Sequence, residues 1–450
     1  MSKITIKEIK KKKSQSDIEK ENKKLEEILM GDKLDPEVLK KLKEKSSSNI
    51  QDEKVMAINI AVVGVGQAGS RIAEVMQGRG YDAGVINTSS QDLEFIKVDK
   101  KLLLEGSLGG TGKDLDLGRQ IFEENEDKCF DFLQDVIGNN DMVYLAVSGG
   151  GGTGSSCCDT IIPLMVSTGR PIGVIYILPK DTEDAQSKRN SIETLSRLAK
   201  MSTENMISNL IVVDNAKIEQ IYGGLSQAKF WETANDAIVE PLDIFNTLTS
   251  TASRHTSLDP SDFAKVISCG DCSTYGVVEV EDYMEETALA EAVIDSLNSN
   301  MLAEGFDLKQ TRVGGVIITG TKKIMDQLPA ININYCYHMI SEATNGANIF
   351  QGVYDVHTKS DSIKIYTWFA GLGLPKTRIE TLKQQSKELE KVAESKEKSR
   401  LSAMELDLGK DKTTSLADEV HRKIKKKSSA FSRFQRGRGS LIDARRKKEK

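Results

Sequence analysis

Apolar residues in the first half of this chain come in short runs that end in glycine or polar turns. The runs Ile58–Val63, Gly84–Ile86 and Met142–Val147 have the length and composition of buried strands. The apolar stretch Cys157–Thr168, which follows the last of them, has the length of a helix. Strands that alternate with helices are typical of an α/β domain with a parallel sheet, and we place this domain at residues 56–221.

The pattern changes after residue 221. A long helix is predicted over about Tyr222–Ser253. It leads into a second, smaller α+β domain at about residues 254–373, with strand candidates at Val277–Val280, Gly315–Thr319 and Ile363–Phe369. The chain is therefore predicted to contain two domains joined by one long helix.

Charged segments flank these domains. Residues 1–55 are poor in large apolar side chains and are predicted to form a mobile extension with two helical stretches, Ser16–Met30 and Pro36–Lys45. Residues 374–404 are predicted to form a charged C-terminal helix, and residues 405–450 a flexible tail. The core of the fold is thus expected between residues 56 and 373.

A run of glycines, Gly149–Cys158 (GGGGTGSSCC), follows the predicted strand that ends at Val147. Glycine adopts positive φ without a Cβ clash, so such a run can turn several peptide N–H groups toward one anion. The positive end of the following helix dipole would add to the attraction for a phosphate. A flexible linker is the alternative, although linkers seldom separate an apolar strand from an apolar helix.

A second glycine turn, GVGQAGS at residues 64–70, also lies between a predicted strand and a helix. Its G-x-G-x-x-G pattern suggests a Rossmann dinucleotide site, which requires an acidic residue about 20 residues further on. The next predicted strand ends instead in Asn87, Thr88 and Ser89. A P-loop is also disfavoured, because Asp114 follows Lys113 where Ser or Thr should bind magnesium. Two glycine loops without a Walker lysine point to another kind of nucleotide site.

These two loops resemble those of the tubulin/FtsZ superfamily of filament-forming GTPases. GQAGS matches the first phosphate loop of that superfamily, and GGGGTGSS matches its signature loop. Further segments fit in order: the second loop at Val85–Ser89, the third at Gly109–Asp114, the fifth at Leu178–Glu183 and the sixth at Val213–Lys217. The sequences NTSSQD, LPKD, VDNAKI, LDPSDFAKVI and AGLGLPK are most similar to TubZ/RepX, the tubulin-like proteins of plasmids and some phages.

The resemblance spans about residues 56–380 and implies a tubulin/FtsZ-like α/β fold. A Rossmann-like GTP-binding domain (56–221) would be joined by a central helix (222–253) to a smaller α+β domain (254–373). The C-terminal helix (374–404) would lie along the filament and contact the next subunit. A helix folded back on its own domain is the alternative.

The resemblance also implies a GTP/GDP site. Backbone amides of the first and signature loops would hold the α and β phosphates, and the third loop would close over the γ phosphate, with Mg²⁺ bound through the phosphates. Glu183, with Lys188 as a second candidate, would contact the ribose. Asn215 and Asn235 would bind the guanine edge, which an amide can match with both a donor and an acceptor, and Trp231 would stack on the base. The implied nucleotide contacts are Gly66, Gln67, Ala68, Gly69, Ser70, Asn87, Gly109, Gly110, Thr111, Gly112, Gly150, Gly151, Gly152, Thr153, Gly154, Ser155, Glu183, Asn215, Trp231 and Asn235.

No acid in the phosphate loops is placed to activate water. In the superfamily the acid comes from the next subunit, and Ser257-Leu-Asp259-Pro-Ser-Asp262 resembles the segment that carries it. Asp262 is the expected catalytic residue and Asp259 would assist it. Ser257 departs from the usual Asn, and both acids could also cap a helix that starts near Phe263. The active enzyme is then expected to be the homopolymer.

Composition agrees with a cytoplasmic protein. The net charge is −5 over 450 residues, and no apolar run approaches the length of a membrane span. Neither a signal peptide nor a disulfide framework is indicated, since only six cysteines are present. The pair Cys269 and Cys272 is weak as a metal motif because the chain has only four His.

The tail Arg422–Lys450 carries 13 Lys or Arg against two acidic residues, a net charge of +11. Phe431, Phe434 and Leu441 lie among these charges, which favours a protein groove over bare DNA. By resemblance, the tail would bind a DNA-bound adaptor that links a filament to a plasmid or phage genome. Direct DNA contact, or a tail that only increases solubility, is the alternative.

Three classes of function remain open. The first is a polymerising GTPase that segregates or positions DNA. The second is a scaffold filament that binds GTP and hydrolyses it slowly, or a protein of the cell-division type. The third, a dinucleotide enzyme, is disfavoured because no His, Lys or Cys constellation accompanies the glycine loops.

Overall fold

A computed structural model describes residues 55–106, 109–298, 300–358 and 360–404. The predicted helical stretches Ser16–Met30 and Pro36–Lys45, and the basic tail Arg422–Lys450, lie outside the described residues.

Ten strands form one continuous sheet in the order β3-β2-β1-β4-β5-β6-β7-β10-β8-β9. The strands are β1 Ile60–Val65, β2 Asp82–Asn87, β3 Lys100–Leu103, β4 Met142–Ser148, β5 Ile172–Leu178, β6 Asn209–Asp214, β7 Cys272–Val280, β8 Val313–Gly320, β9 Asn348–Asp355 and β10 Ile363–Leu372. The described helices are α1 Gly66–Gly78, α2 Ser90–Glu94, α3 Leu115–Glu124, α4 Glu126–Ile137, α5 Thr153–Ser156, α6 Cys158–Val166, α7 Ala185–Thr203, α8 Asn215–Tyr222, α9 Gln227–Leu248, α10 Pro260–Ile267, α11 Ala288–Asn298, α12 Lys322–Met325, α13 Ala330–Ala343 and α14 Lys376–Met404, with a 3₁₀ turn at Leu308–Gln310.

The first six strands are parallel, and helices cover them on both faces. Strands β1 and β5 are buried at every position, which explains their apolar sequences without alternation. The predicted α/β organisation is confirmed, although β1 lies two residues later than the predicted Ile58–Val63. Because the strands are parallel, the loops after β1, β2, β4, β5 and β6 meet at one edge of the sheet.

The second half of the sheet is mixed. Strand β7 joins it through only two parallel pairs with β6, Leu210 with Cys272 and Ile211 with Ser273. Strand β10 pairs antiparallel with both β7 and β8, and β9 runs parallel to β8. The three predicted strands of this region are confirmed within longer elements. Sequence analysis did not predict β9, whose sequence NIFQGVYD mixes polar and apolar residues on an edge strand.

Helix α9 runs between the two halves of the sheet. It is shorter than the predicted Tyr222–Ser253 at both ends. Near its C-terminal end the Phe245 ring stacks on Phe263 at 5.7 Å and meets Trp368 edge-on at 5.8 Å between centroids. The Tyr275 hydroxyl donates to the carbonyl of Ile238 at 2.8 Å. These contacts fix the second half of the sheet against the central helix.

Helix α14, Lys376–Met404, lies within the predicted helical segment 374–404, and the described residues end at Met404. Its first half packs along α7 of the same chain, where Leu382 is fully buried. From Lys391 to Leu401 every side chain is exposed. The first half is therefore folded back on its own chain. No helix in the described part of the chain is both long and apolar enough to cross a membrane.

Candidate nucleotide-binding site

The first loop turns directly from β1 into α1. Gly66 has φ +73°, a conformation that glycine adopts without strain. A Cβ added to Gly69 would lie 2.0 Å from the carbonyl oxygen of Ala146, so α1 packs against the backbone of β4. The buried Ser70 hydroxyl donates to the Gly66 carbonyl at 2.7 Å. The loop at residues 66–70 is thus held tightly at the carboxyl edge of the sheet.

The glycine-rich signature loop follows β4 and lies beside the first loop. The Ser155 hydroxyl lies 2.6 Å from the carbonyls of both Gly149 and Gly151. These contacts bend the loop back toward the start of α5, which contains Ser155. A Cβ on Gly66 would lie 3.3 Å from the peptide nitrogen of Gly154. The loop at residues 150–155 and the first loop therefore line one concavity.

The second loop closes one side of this concavity. The hydroxyls of Thr88 and Thr153 are 2.8 Å apart. The buried Asn87 side chain accepts from the peptide N–H groups of Thr88 at 2.8 Å and Ser89 at 3.2 Å. The structure thus places Asn87 at the site and uses its carbonyl oxygen to shape the turn.

The third loop has an open, left-handed backbone. Gly109, Gly110, Gly112 and Lys113 all have positive φ, at 83°, 128°, 56° and 68°. A Cβ on any of the three glycines would meet nothing within 4 Å. Thr111 anchors the loop, because a Cβ on Gly152 would come within 1.9 Å of its hydroxyl. Space for a further phosphate therefore lies beside the signature loop.

An ion pair fastens the third loop to α7. The Lys113 ammonium lies 2.6 Å from the carboxylate of Asp184, the residue that caps α7. The side chains of Gln186 and Asn190 donate to the Lys113 carbonyl at 3.0 and 2.9 Å. The hydrogen bond from Lys113 lowers the pKa of Asp184 to about 2. The contact between Lys113 and Asp184 was not predicted from the sequence, because the two residues lie 71 positions apart.

Glu183 in the fifth loop lies against the signature loop. Its carboxylate accepts from the peptide N–H of Lys180 at 2.9 Å, and a Cβ on Gly150 would lie 2.8 Å from its second oxygen. Lys188 is fully buried and donates to the carbonyls of Asp181, at 2.8 Å, and Glu183. Burial lowers the pKa of Lys188 even though carboxylates lie nearby. Lys188 therefore supports this turn from below through backbone carbonyls.

Trp231 lies near the start of α9, between the first and fifth loops. Its ring has the guanidinium of Arg71 at 5.3 Å and the ammonium of Lys180 at 5.4 Å from its centroid. Asn235 follows one turn later and is buried. The sequence did not identify Arg71 and Lys180 as contacts of Trp231. Arg71 directly follows the predicted first loop, and Lys180 belongs to the predicted fifth loop.

Asn215 is the first residue of α8, in the sixth loop. The preceding residue, Asp214, is 2% exposed and accepts from the peptide N–H of Ala216 at 3.0 Å. Burial raises the pKa of Asp214, against the opposing effect of the Arg378 guanidinium. The cap fixes where α8 begins and hence where Asn215 lies.

Asp259 and Asp262 lie away from these loops. Asp259 is the N-cap residue of α10 without a side-chain capping bond, and Asp262 in the first turn pairs with Lys265 at 2.8 Å. The Ser257 hydroxyl accepts from the peptide N–H of Ser253 at 3.0 Å. Next to Asp262, Phe263 stacks on Phe245, which follows Trp231 by 14 positions on α9. A helix of that length spans about 21 Å.

The geometry suits a nucleoside triphosphate. The converging glycine loops offer peptide N–H groups, the third loop leaves open space, and cations flank the aromatic ring. Among the described residues, no group of three or more His, Cys, Asp or Glu side chains is placed to hold a metal ion.

Two protein-family models match the chain. The GTPase domain of the tubulin/FtsZ family matches residues 59–223, and the TubZ-like C-terminal domain of tubulin/FtsZ-like proteins matches residues 244–383. The tubulin-like protein CetZ of Pyrococcus abyssi is 26% identical over 322 residues, which cover 69% of this chain and 85% of that protein. The tubulin-like protein TubZ of Bacillus cereus is 22% identical over 363 residues, 73% of this chain and 82% of that protein.

Solved structures share the fold. A GTPγS-form protofilament of TubZ from Bacillus thuringiensis serovar israelensis superposes with a TM-score of 0.69 at 20% identity, covering 80% of this chain and 98% of that one. The helical model of the two-stranded TubZ-Bt filament gives 0.71 at 20% identity, covering 82% and 97%. The predicted tubulin/FtsZ-like fold, with a GTPase domain followed by a C-terminal domain, is confirmed.

Proposed function

This chain belongs to the tubulin/FtsZ family of GTPases, and from that premise we propose that it polymerises into dynamic cytoplasmic filaments and hydrolyses GTP at the contacts between subunits. The family binds GTP and GDP, and TubZ relatives are described as filaments. We divide the chain into a GTP-binding domain at 56–221, a central helix at 222–253, a C-terminal domain at 254–373, a helix at 374–404 and a tail at 405–450.

In this proposal the loops at residues 66–70 and 150–155 hold the α and β phosphates through peptide N–H groups, and Gln67 and Thr153 add side-chain contacts. The third loop closes over the γ phosphate, and Mg²⁺ is carried by the phosphates. Glu183 contacts the ribose, Trp231 stacks on the base, and Asn215 and Asn235 bind the guanine edge. The packing of these loops against one another supports the assignment.

One observation carries the proposal that the active site is shared. Asp262 belongs to α10, which packs beside Phe245, about 21 Å along α9 from Trp231. A carboxylate that activates water must lie within hydrogen-bond reach of it, about 3 Å. Asp262 therefore acts on the nucleotide of a neighbouring subunit, with Asp259 assisting.

Assembly and turnover are then coupled, since a lone subunit has the nucleotide and lacks the acid. Loss of the γ phosphate removes the contacts that order the third loop and weakens the joint. The exposed half of α14, from Lys391 to Leu401, would contact the next subunit. The basic tail would bind a DNA-bound adaptor, or DNA directly, so that filaments segregate a plasmid or phage genome.

The test measures light scattering and phosphate release on the full chain over a range of protein concentrations with GTP, GDP and ATP. We expect both signals to appear with GTP at the same threshold concentration. Asp262→Ala should polymerise with GTP and lose at least about 100-fold in turnover, whereas Asp131→Ala, an exposed acid on α4, should behave as the unchanged protein. Turnover proportional to protein from zero, without scattering, would refute a shared site.

A scaffold filament with slow hydrolysis is the second candidate. The observation that favours it is the pairing of Asp262 with Lys265 at 2.8 Å, which engages the proposed catalytic carboxylate. For such a scaffold, Asp262→Ala would polymerise and release phosphate as slowly as the unchanged protein. The same experiment therefore separates the two candidates.

A further inference from the structure

Arg378 lies in the first turn of α14, yet its guanidinium reaches two of the loops at the proposed nucleotide site. The side chain is 6% exposed and contacts groups from the turns after β5 and after β6. We infer that Arg378 is a positioning residue for the nucleotide, through which the C-terminal helix holds the ribose and base loops in place. This inference rests on the function proposed above.

The contacts of Arg378 use the full width of its planar group. One terminal nitrogen donates to the Asp181 carboxylate at 2.7 Å, and the other donates to the Pro179 carbonyl at 3.1 Å. The Nε atom lies 2.8 Å from the carboxylate of Asp214, an ion-pair contact without hydrogen-bond geometry. A lysine has one nitrogen and cannot make both hydrogen bonds and also face the second carboxylate, so the arrangement requires the wide guanidinium of arginine.

The partner Asp214 leads directly to the base site. One of its carboxylate oxygens caps α8 through the Ala216 peptide N–H, and the other faces Arg378. Asn215, proposed to bind the guanine edge, is the next residue in the chain. An arginine that fixes Asp214 therefore fixes the start of α8 and the direction of Asn215.

The partner Asp181 leads to the ribose site in the same manner. Its carboxylate accepts from Arg378 and, at 3.1 Å, from Gln385, which lies about two helix turns further along α14. The Asp181 carbonyl accepts from buried Lys188, and Glu183 follows two residues later. Lys188 of α7 and Arg378 of α14 thus both contact the short turn after β5, and Glu183 lies at the end of that turn.

Removal of Arg378 would leave the buried Asp214 carboxylate without the guanidinium that contacts it. Breaking a buried ion pair by removing one partner is strongly unfavourable, because the remaining charge has lost both water and its counter-ion. Asp214 would then rotate toward solvent or take up a proton, and in either case the cap of α8 weakens. We therefore expect a loss in nucleotide binding and no direct effect on Asp262, which belongs to α10.

The guanidinium stays in place only while α14 is docked. Leu382 is fully buried against α7, and the Ser386 hydroxyl lies 3.4 Å from the carbonyl of Ala185 at the start of that helix. Displacement of α14 would withdraw Arg378 from both loops at once. Docking of the C-terminal helix therefore sets how tightly the chain retains its nucleotide.

The test compares Arg378→Met and Arg378→Lys with Arg189→Met in the full-length protein. Arg189 pairs with Glu390 across the same two helices, is exposed and lies outside both loops, so it controls for weaker docking alone. Equilibrium binding of GTP and of ITP, which lacks the 2-amino group of guanine, is measured below the assembly threshold. We expect Arg378→Met to weaken GTP binding at least about tenfold and Arg378→Lys less, with Arg189→Met within about twofold.

The selectivity between GTP and ITP distinguishes positioning from general destabilisation. If Arg378 positions Asn215, Arg378→Met loses preference for GTP over ITP, while turnover at saturating GTP in the assembled state changes by less than about twofold. Equal losses for both nucleotides, or unchanged GTP affinity, would overturn the inference. If Arg378→Met does not fold, Arg378→Lys, which keeps the buried positive charge, decides between these outcomes.

Failure of this inference is distinguishable from failure of the proposed function. If the unchanged protein does not bind GTP, or if Asn215→Ala binds GTP and ITP as the unchanged protein does, the proposed base site is wrong and this inference falls with it. If Asn215→Ala alters selectivity and Arg378→Met does not, only the role of Arg378 is wrong.

Discussion

Replacement of Gly69 by alanine adds one methyl group at the closest approach between α1 and β4. The new Cβ would lie 2.0 Å from the Ala146 carbonyl oxygen and 2.9 Å from its carbon, both of them backbone atoms. An ordinary contact begins at 3.4 Å, so the helix start must move by about 1.4 Å. Both surfaces are buried and neither offers a flexible side chain, so we expect a loss of about 3 kcal/mol in unfolding free energy.

The same displacement moves the first loop, which begins at Gly66 and is proposed to hold the phosphates. A shift of more than about 1 Å misaligns the peptide N–H groups with a phosphate, so GTP affinity should fall at least about tenfold, or about 1.4 kcal/mol. Equilibrium unfolding in guanidinium chloride and GTP titration of the same samples measure the two effects.

Gly78, the last residue of α1, provides the matched control. A Cβ there meets nothing within 4 Å, so Gly78→Ala should leave GTP affinity unchanged and stabilise the protein by about 0.5–1 kcal/mol. The reasoning fails if Gly69→Ala and Gly78→Ala have the same stability and the same affinity.

Two further predictions concern the third loop and the base site. Because Lys113 holds the pKa of Asp184 at about 2 in the folded chain, this pair stabilises the protein above pH of about 4, and its contribution is lost as pH falls through about 2. As pH falls from about 4 to about 2, the free energy of unfolding of Lys113→Met should therefore decrease less than that of the unchanged protein. The difference should be under about 1 kcal/mol, because Asp184 is 59% exposed. Urea unfolding at pH 7, 4 and 3 measures it, and an equal loss of stability in the two proteins would contradict this reasoning. The chain has two tryptophans, and Trp368 is fully buried in the core, so GTP should change the fluorescence of Trp231. Trp231→Phe should abolish that change, and a retained signal would show that the base does not stack there.

The sequence predicted the elements whose pattern is local. Strands buried on both faces have continuous apolar runs, so β1 and β4 were predicted to within two residues at their starts. The uninterrupted charged run predicted a helix over residues 374–404, and α14 begins there at Lys376. Edge strand β9 was missed because only three of its eight positions are buried and its sequence carries no clear period.

The glycine loops were predicted as a set because positive φ and close backbone approach restrict residue type at each position. Gly66, Gly109 and Gly112 do adopt positive φ, and Gly69 does contact the backbone of β4. The pairs that bind these loops together were not predictable in the same way. Lys113 with Asp184 joins positions that only the fold brings together.

By itself, the sequence determined the succession of strands and helices, the positions of the loops and the family, because each depends on neighbours in the chain. Only the tertiary structure decided that one sheet runs through both halves of the molecule, that Lys188 is buried beneath a turn, and that Arg378 reaches from α14 to Asp214. The physical reason is burial. A charged side chain has the same sequence signature on the surface and in the interior, and its role depends on which oxygen atoms the fold places around it.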